Sequence, residues 1–326
     1  MPDRNADNAV KQDSSRDARA GLLLLIGTGL IWGTIGIAAK YVYDASDLDA
    51  VSVTWLRALI ASPVCILMAW RALGRDLFRT TPRDLVLMSL LGVLLIVYQF
   101  LYLAAINRIG VSAATLISLC GAPVVVAVAS AVFLGQKMTG RTIAALCGAL
   151  LGTAMIVGWR TGGTGDTRDT VIGVALSVCS AIGVATHFIF SGRIANRQHP
   201  WRPLAIGFTV GAIVFTPLAL SRGISFELSA SAWSWLIFLA IGPSAFAYAM
   251  LQRGLQNVSA SDASIVTLLE PLTAAILATY LFGERLGVVG WFGAGLLLSS
   301  IALLSFTAGR AKSRVPALES IPEVAT

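Results

Sequence analysis

Residues 110–137 read GVSAATLISLCGAPVVVAVASAVFLGQK, and residues 257–285 read NVSASDASIVTLLEPLTAAILATYLFGER. Each stretch has a Val-Ser-Ala or similar start, a proline near its middle, and an end formed by a glycine and two polar residues. Pro123 and Pro271 each precede that glycine by 12 positions. Three features that recur in the same order and at nearly the same spacing indicate that the chain contains two similar halves.

The composition around the two copies is typical of a membrane protein. Of the 326 residues, 56% are hydrophobic and 13% are charged, and the mean hydropathy is +0.78. A soluble domain carries about 25% charged residues, so this chain has too few to cover a globule of its size in water. Lipid is therefore the expected solvent for most of the exterior. The net charge of +7 does not indicate a nucleic-acid partner, because the charges lie in short connectors between apolar runs.

Ten apolar runs, each of about 20 residues, are long enough to cross a bilayer. We therefore predict an all-α integral membrane fold of ten transmembrane helices. The runs lie at residues 21–43, 51–70, 84–106, 111–134, 141–159, 171–192, 203–221, 232–252, 261–282 and 287–307. The predicted organisation is a disordered cytoplasmic tail at 1–20, five-helix repeats at 21–159 and 171–306, and a second cytoplasmic tail at 309–326.

The distribution of positive charge orients the runs. With the N-terminus in the cytoplasm, 17 lysines and arginines lie on the cytoplasmic side and 5 on the opposite side. The positive-inside rule then predicts a multi-pass protein of the cytoplasmic membrane with both termini inside. Because each repeat has five spans, the second repeat must enter the membrane from the opposite side. Such inverted repeats are typical of secondary transporters.

Three sequence features resemble the EamA family of the drug/metabolite transporter superfamily. They are Trp32-Gly33 with Lys40, the triplet Trp55-Leu-Arg57, and Pro271 followed by Gly283-Glu284-Arg285. The resemblance covers both halves, at about 21–159 and 171–306. It implies a ten-helix bundle around a central cavity, and export of amino acids, other metabolites or drugs.

The first half departs from the pattern of the second half. Ala122-Pro123 stands where the second half has Glu270-Pro271, and Gln136-Lys137 stands where it has Glu284-Arg285. A mechanism that needs the acidic residue in both copies is therefore in doubt for this chain.

Ionisable residues inside the predicted spans are candidates for transport chemistry, because each costs at least a few kcal/mol in a membrane. Glu270 lies near the middle of the ninth run, and the following Pro271 removes a backbone hydrogen bond. It is either a proton or substrate-amine site, or a structural carboxylate bonded to a neighbouring helix, with Arg57 as a candidate partner. Arg57 either pairs within the protein or binds an anionic group of the solute. His187 is either a packed ring or a proton relay.

Aromatic and polar residues of the third, first and eighth runs are candidates for the walls of a solute site. Tyr98 and Tyr102 are four positions apart and share a helix face. Aromatic walls with a few polar groups suit an amphipathic organic solute, although the same rings could anchor helices or face lipid. The full candidate set is Trp32, Thr34, Tyr98, Gln99, Tyr102, Tyr248, Arg57, His187 and Glu270, with helix breaks at Pro123 and Pro271.

No enzyme motif is apparent in the sequence. It contains no GxxxxGK[ST], GxSxG or HExxH pattern, so we expect no cofactor, no metal and no catalytic residues. The expected partners are a small-molecule solute and membrane lipid. A proton is one candidate for the coupling ion, which the sequence leaves open, and an oligomer is compatible with the sequence but not required. A membrane-embedded enzyme or a flippase for a lipid-linked substrate is the alternative to a transporter.

Overall fold

The computed structural model describes residues 4–134, 138–157, 167–223, 226–282 and 287–308. All regular secondary structure within these ranges is helical. The α-helices are α1 (Arg4–Trp32), α2 (Ile35–Asp44), α3 (Ala50–Leu73), α4 (Pro82–Thr115), α5 (Gly121–Leu134), α6 (Gly140–Val157), α7 (Thr167–Ala195), α8 (Trp201–Leu220), α9 (Ala230–Leu239), α10 (Ala247–Gly254), α11 (Ala260–Val266), α12 (Leu269–Phe282) and α13 (Val288–Ala308).

In the described part of the chain, six helical segments are long and apolar enough to cross a membrane: Asp17–Asp44, Ala50–Phe78, Pro82–Tyr102, Thr167–Ala195, Trp201–Leu220 and Ala230–Gly254. Ile117–Ala129, Gly140–Met155 and Val288–Leu303 are shorter apolar helices. The prediction of an all-helical membrane protein is confirmed. Shorter or interrupted helices occupy four of the predicted runs: 111–134, 141–159, 261–282 and 287–307. The count of ten spans therefore stays a proposal.

The first helix begins inside the predicted N-terminal tail. Residues 4–20 are part of α1, which starts at Arg4, and the cytoplasmic tail at 1–20 stays a prediction. Extending an existing helix costs far less than starting one, and this segment contains neither proline nor glycine. The second predicted tail, 309–326, lies outside the described residues.

Two pairs of helices that occupy the same place in each half run antiparallel to each other. Between α3 and α8, the Trp55 indole donates to the Thr216 hydroxyl at 3.0 Å, and the Ser62 and Thr209 hydroxyls lie 2.6 Å apart. As residue numbers increase along α3, the numbers of the contacting residues on α8 decrease, so the two helices are antiparallel. The helices α6 and α13 are also antiparallel, because their close contacts join Gly148 to Ser300 and Gly152 to Leu297.

Two further helix pairs also run antiparallel. Along α4 and α7, Tyr98 lies against Gly183 and Ile109 against Gly173. The counterpart pair is α1 with α10, where Gly21 lies against Gly254 and the Thr28 hydroxyl donates to the backbone carbonyl of Ala247 at 3.2 Å.

The chain reverses direction after α4. The Ser118 hydroxyl donates to the carbonyl of Ser177 at 3.2 Å, and Gly121 lies against Ala181. These contacts make α5 parallel to α7, whereas α4 is antiparallel to it. Helical hydrogen bonding nevertheless continues through Thr115, so the turn expected between the third and fourth runs is a bend with helical bonding.

Glycines allow the two halves to approach closely where α4 meets α8. A Cβ atom built on Gly92 would collide with the backbone of Gly207, and one built on Gly207 would press on the backbone of Gly92. Small residues at such crossings replace the hydrophobic drive that lipid removes.

We predict that Gly92→Leu destabilises the protein. Backbone atoms of Gly207 occupy the space that the new side chain needs, so overpacking costs at least about 1–3 kcal/mol. The measurement is thermal unfolding in detergent, followed by tryptophan fluorescence. Gly295→Leu is the matched control, because a Cβ atom at this helical glycine meets nothing within 4 Å. Equal melting temperatures for the two variants would contradict the prediction.

Candidate solute site between the halves

Within the described residues, four of the apolar runs contain an interruption of regular α-helix. The interruptions lie at Gly33–Thr34, in the π-helical stretches Leu116–Cys120 and Ala240–Phe246, and at Thr267–Leu268. Irregular backbone at membrane depth is tolerated only where protein or a water-filled cavity covers it. Broken helices of this kind often form the binding sites of transporters.

The first and third interruptions meet directly. The indole Nε1 of Trp32 donates to the backbone carbonyl of Pro243 at 3.0 Å, and both residues are buried. Proline at this position and the π-helical stretch around it leave carbonyls without the usual helical partner. The contact therefore satisfies one such carbonyl with a side chain from the other half.

A pair of tyrosines joins α4 to α10. The hydroxyl oxygens of Tyr98 and Tyr248 lie 2.7 Å apart, and the side-chain amide of Gln99 donates to the Tyr248 hydroxyl at 3.4 Å. Both tyrosines are buried. A neutral hydrogen bond at this distance is short and well formed, so it fixes both rings.

Five rings form what we call the aromatic cluster: Trp32, Tyr98, His187, Phe208 and Tyr248. The Trp32 and Tyr248 ring centroids are 4.9 Å apart and the planes are inclined by 55°. Edge-to-face contacts, each with ring centroids 5.9 Å apart, join Tyr98 to His187, His187 to Tyr248 and Phe208 to Tyr248. These are favourable arrangements of aromatic quadrupoles, and Tyr248 lies at the centre of the cluster.

His187 contributes an edge to this cluster. It is buried, and among the described residues neither imidazole nitrogen meets the geometry of a hydrogen bond. The backbone of Leu91 lies close enough to interact weakly, but outside that geometry. In this conformation the contacts of His187 are those of a packed ring.

Arg57 and Glu270 lie near the cluster without pairing. The Nη2 of Arg57 donates to the Ser244 hydroxyl at 3.1 Å, and Arg57 is only 8% exposed. Within the described residues, no carboxylate oxygen comes within the 4.0 Å that defines an ion pair with Arg57. The charge of Glu270 is still close enough to act on Arg57. The direct bond between them that the sequence leaves open is not formed.

Glu270 borders a small cavity. Trp32, Pro123, Phe188 and Thr267 are among its other walls, and its volume is about 30 Å³. A cavity of this size holds one or two water molecules. Pro271, directly after Glu270, is buried, so both predicted helix-breaking prolines lie at or beside this cavity.

Two candidates lie away from the cluster. The Thr34 hydroxyl donates to the carbonyl of Ile31 at 2.6 Å, and so it bonds to the backbone at the first interruption. Tyr102 packs against a separate group that includes Ala105 and Ile109. The other candidates, Trp32, Tyr98, Gln99, Tyr248, Arg57, His187 and Glu270, lie together.

Three residues of the site were not identified from the sequence. Ser244 holds Arg57, Pro243 accepts the Trp32 indole, and Phe208 packs on Tyr248. The proline inside the eighth apolar run could have indicated an interruption there, and so Ser244 and Pro243. Phe208 is one of many aromatic residues in apolar runs, and nothing in the sequence marks it.

A pocket of about 420 Å³ opens at the membrane face opposite the N-terminus. Its rim carries two ion pairs, each joining one half to the other. Arg108 and Asp169 are 2.5 Å apart, and Asp49 and Arg222 are 4.0 Å apart. All four side chains are roughly half exposed, and exposed pairs of this type contribute about 0–1 kcal/mol each.

Hydrogen bonds tie the halves at the N-terminal face. Arg202 donates to the backbone carbonyl of Asp76 at 2.5 Å and to the side chain of Gln198. Gln198 in turn donates to the carboxylate of Asp84 at 2.9 Å. Arg202 is 9% exposed, so this contact is largely shielded from solvent.

Comparisons with known proteins agree on the type of molecule. A model described as the EamA-like transporter family matches residues 19–158 and 171–306. The uncharacterized transporter YwfM of Bacillus subtilis is 25% identical over 284 residues, covering 87% of this chain and 93% of its own. The uncharacterized inner membrane transporter YicL of Salmonella typhimurium is 23% identical over 299 residues, covering 90% and 97%. A solved crystal structure shares the fold, with a TM-score of 0.75 at 21% identity, over 90% of this chain and 99% of its own.

We predict that the tyrosine pair contributes a coupled stabilisation. Tyr248→Phe removes the oxygen that Gln99 donates to and leaves the Tyr98 hydroxyl without its partner, at a cost of about 1–3 kcal/mol. Tyr98→Phe costs less, because Tyr248 keeps Gln99. The double variant loses less than the sum of the single losses. Unfolding in detergent gives all three values, and Tyr280→Phe, an 83% exposed position, is the control. Strict additivity would exclude the coupling.

Proposed function

The chain belongs to the EamA-like transporter family, and on this premise we propose that it is a secondary transporter of a small organic solute. The solute is an amino acid, another metabolite or a drug-like compound, exported across the cytoplasmic membrane by alternating access around a midplane cavity. The observation that carries the proposal is that the candidate site is assembled from both halves. Trp32, Arg57 and Tyr98 come from the first half, and His187, Tyr248 and Glu270 come from the second.

The directions of the helices support ten spans in two inverted five-helix repeats. Repeats related by an axis in the membrane plane place counterpart helices antiparallel and make contacts recur in equivalent pairs. The counterpart pairs α3 with α8 and α6 with α13 are antiparallel. The pair α4 with α7 has its equivalent in α10 with α1. Quasi-equivalent halves of this kind can exchange two orientations around a central site.

The contacts at the two faces support an outward-facing state. We propose that both termini lie in the cytoplasm, which makes the 420 Å³ pocket extracytoplasmic. The cytoplasmic side is then the one that Arg202, Gln198 and Asp84 tie together. A change to the inward-facing state would break this network and close the extracytoplasmic pocket.

We propose the proton as the coupling ion, with Glu270 as the group that carries it. A carboxylate that borders a small cavity, near an arginine but not bonded to it, can exchange a proton with water and with the solute. Ala122 stands at the corresponding position of the first half, so a single carboxylate would serve both states.

Purified protein in liposomes tests the class of function. A thermal-shift screen of metabolites identifies a solute, and counterflow of that solute across the liposome membrane indicates a carrier. Turnover or flipping of a lipid-linked substrate without counterflow would instead support the enzyme or flippase alternative.

We predict that Glu270→Gln abolishes solute flux driven by a pH gradient but leaves solute exchange. The amide keeps the size of the side chain and cannot exchange a proton. Radiolabelled solute measures both modes in the same liposomes. Glu227→Gln, at an exposed loop position, is the control and retains both. Gradient-driven flux at the wild-type rate in Glu270→Gln would refute the assignment.

We predict that Arg202→Ala shifts the protein away from the outward-facing state. The variant loses the bond to Asp76, which joins the halves at the N-terminal face, and the bond to Gln198. Among the described residues, Arg193→Ala, on the same face, loses a contact to the Phe190 ring of its own helix. The readout is reaction of Ala104→Cys, at the wall of the outer pocket, with an impermeant thiol reagent. The background variant lacks the native cysteines.

The reaction is expected to slow severalfold in Arg202→Ala and to stay unchanged in Arg193→Ala. An unchanged or faster reaction in Arg202→Ala would contradict the proposed closure at the cytoplasmic face.

A further inference from the structure

The guanidinium of Arg57 has unfilled hydrogen-bonding capacity. It carries five N–H groups, and among the described residues one is used, by Nη2 toward Ser244. Its Nε is buried and has no partner there. Arginines inside membrane segments normally pair with acids or backbone carbonyls, because an unpaired charge is costly in a medium of low dielectric constant. The fold therefore retains a buried donor that the described protein does not fill.

The position of the guanidinium is held from one side. The Ser244 hydroxyl donates to the carbonyl of Leu239 at 2.8 Å, which leaves its oxygen lone pairs to accept from Arg57. Ser244 lies in the π-helical stretch Ala240–Phe246, and such stretches frequently occur at functional sites. Serine is neutral, so this contact orients Arg57 without neutralising it.

The surroundings add further donors and an apolar wall. Tyr98 and Tyr248 lie close enough for the charge of Arg57 to act on them. Their mutual bond uses one of the two hydroxyl hydrogens, so the other is left to donate. The rings of Trp32 and Phe208 flank Tyr248. A ligand matched to these groups has an anionic head and a ring or other apolar body.

The charge balance favours a monoanion. Arg57 supplies a single positive charge, and the carboxylate of Glu270 lies near enough to interact with it. When Glu270 carries its proton, one solute carboxylate matches the charge of Arg57, whereas a dianionic phosphate leaves one negative charge uncompensated.

We infer that Arg57, held by Ser244, is the anion subsite of the solute site, and that the solute is an organic carboxylate with an apolar body. The inference rests on the proposed transport function and deepens it by naming the substrate class. Arg57 acts by binding the carboxylate directly, and Ser244 acts as a positioning residue.

The test compares acids with their neutral amides. Phenylacetate and phenylacetamide form one pair and indole-3-acetate and indole-3-acetamide another, titrated against the purified protein by thermal shift. Each acid is expected to bind roughly tenfold to hundredfold more tightly than its amide, because a charge-assisted bond replaces a neutral one. Inorganic phosphate and phosphatidylglycerol in the micelle are the competing anions.

Variants assign the preference to Arg57. Arg57→Gln is expected to lose the preference for the acid while amide binding stays the same, and Arg57→Lys is expected to retain part of it. Ser244→Ala is expected to weaken acid binding severalfold, and it keeps the test decisive if Arg57→Gln does not fold. Arg193→Gln, at an exposed arginine, is the matched control and keeps the full preference.

Several results would overturn the inference. They are equal binding of acids and amides, no binding of any acid, a preference that survives in Arg57→Gln, or stabilisation by phosphatidylglycerol or phosphate alone. Counterflow of the bound acid is measured separately. Acid binding without counterflow would support the anion subsite and reject the proposed carrier function. Counterflow of the amides at the rate of the acids would support the carrier function and reject the anion subsite.

Discussion

Backbone N–H and C=O groups find no water inside a bilayer, so a transmembrane helix stays continuous unless other parts of the protein cover each break. Two interruptions of this chain, at Gly33–Thr34 and at Ala240–Phe246, obey that constraint by lying against each other. The carbonyl of Pro243, in the π-helical stretch of the second half, accepts the indole of Trp32, which ends the first helix of the first half. The next residue, Ser244, accepts Arg57. The interrupted backbone around Pro243 and Ser244 is thus part of the candidate site.

Polar contacts between the halves occur at three depths, and their strengths differ. Half-exposed ion pairs such as Arg108–Asp169 border the outer pocket, and each such pair is weak in water. The buried bond between Tyr98 and Tyr248 lies in the aromatic cluster, where a lost partner is costly. Arg202 ties the N-terminal face. Shielded bonds at the centre and at the N-terminal face, with weak ion pairs at the outer rim, suit halves that are closed at one face and open at the other.

The two buried charges at the centre make this arrangement more than packing. Arg57 and Glu270 lie near each other without forming an ion pair within the described residues. An apolar pair at these positions would avoid the cost of burying charge in a membrane. Retaining both groups fits a site in which Glu270 takes up a proton and Arg57 binds the anionic group of the solute.

The sequence by itself determined the class of protein, because the free energy of transfer into lipid is a sum over residues and needs no contacts. The apolar runs predicted the helices, and the 3.6-residue period placed Tyr98 and Tyr102 on one face. It could not decide that Tyr98 joins the cluster while Tyr102 packs elsewhere, or that Arg57 meets Ser244 rather than an acid. The bonds Tyr98–Tyr248 and Arg57–Ser244 join residues more than a hundred positions apart, and only the tertiary packing of the helices decides which residues meet.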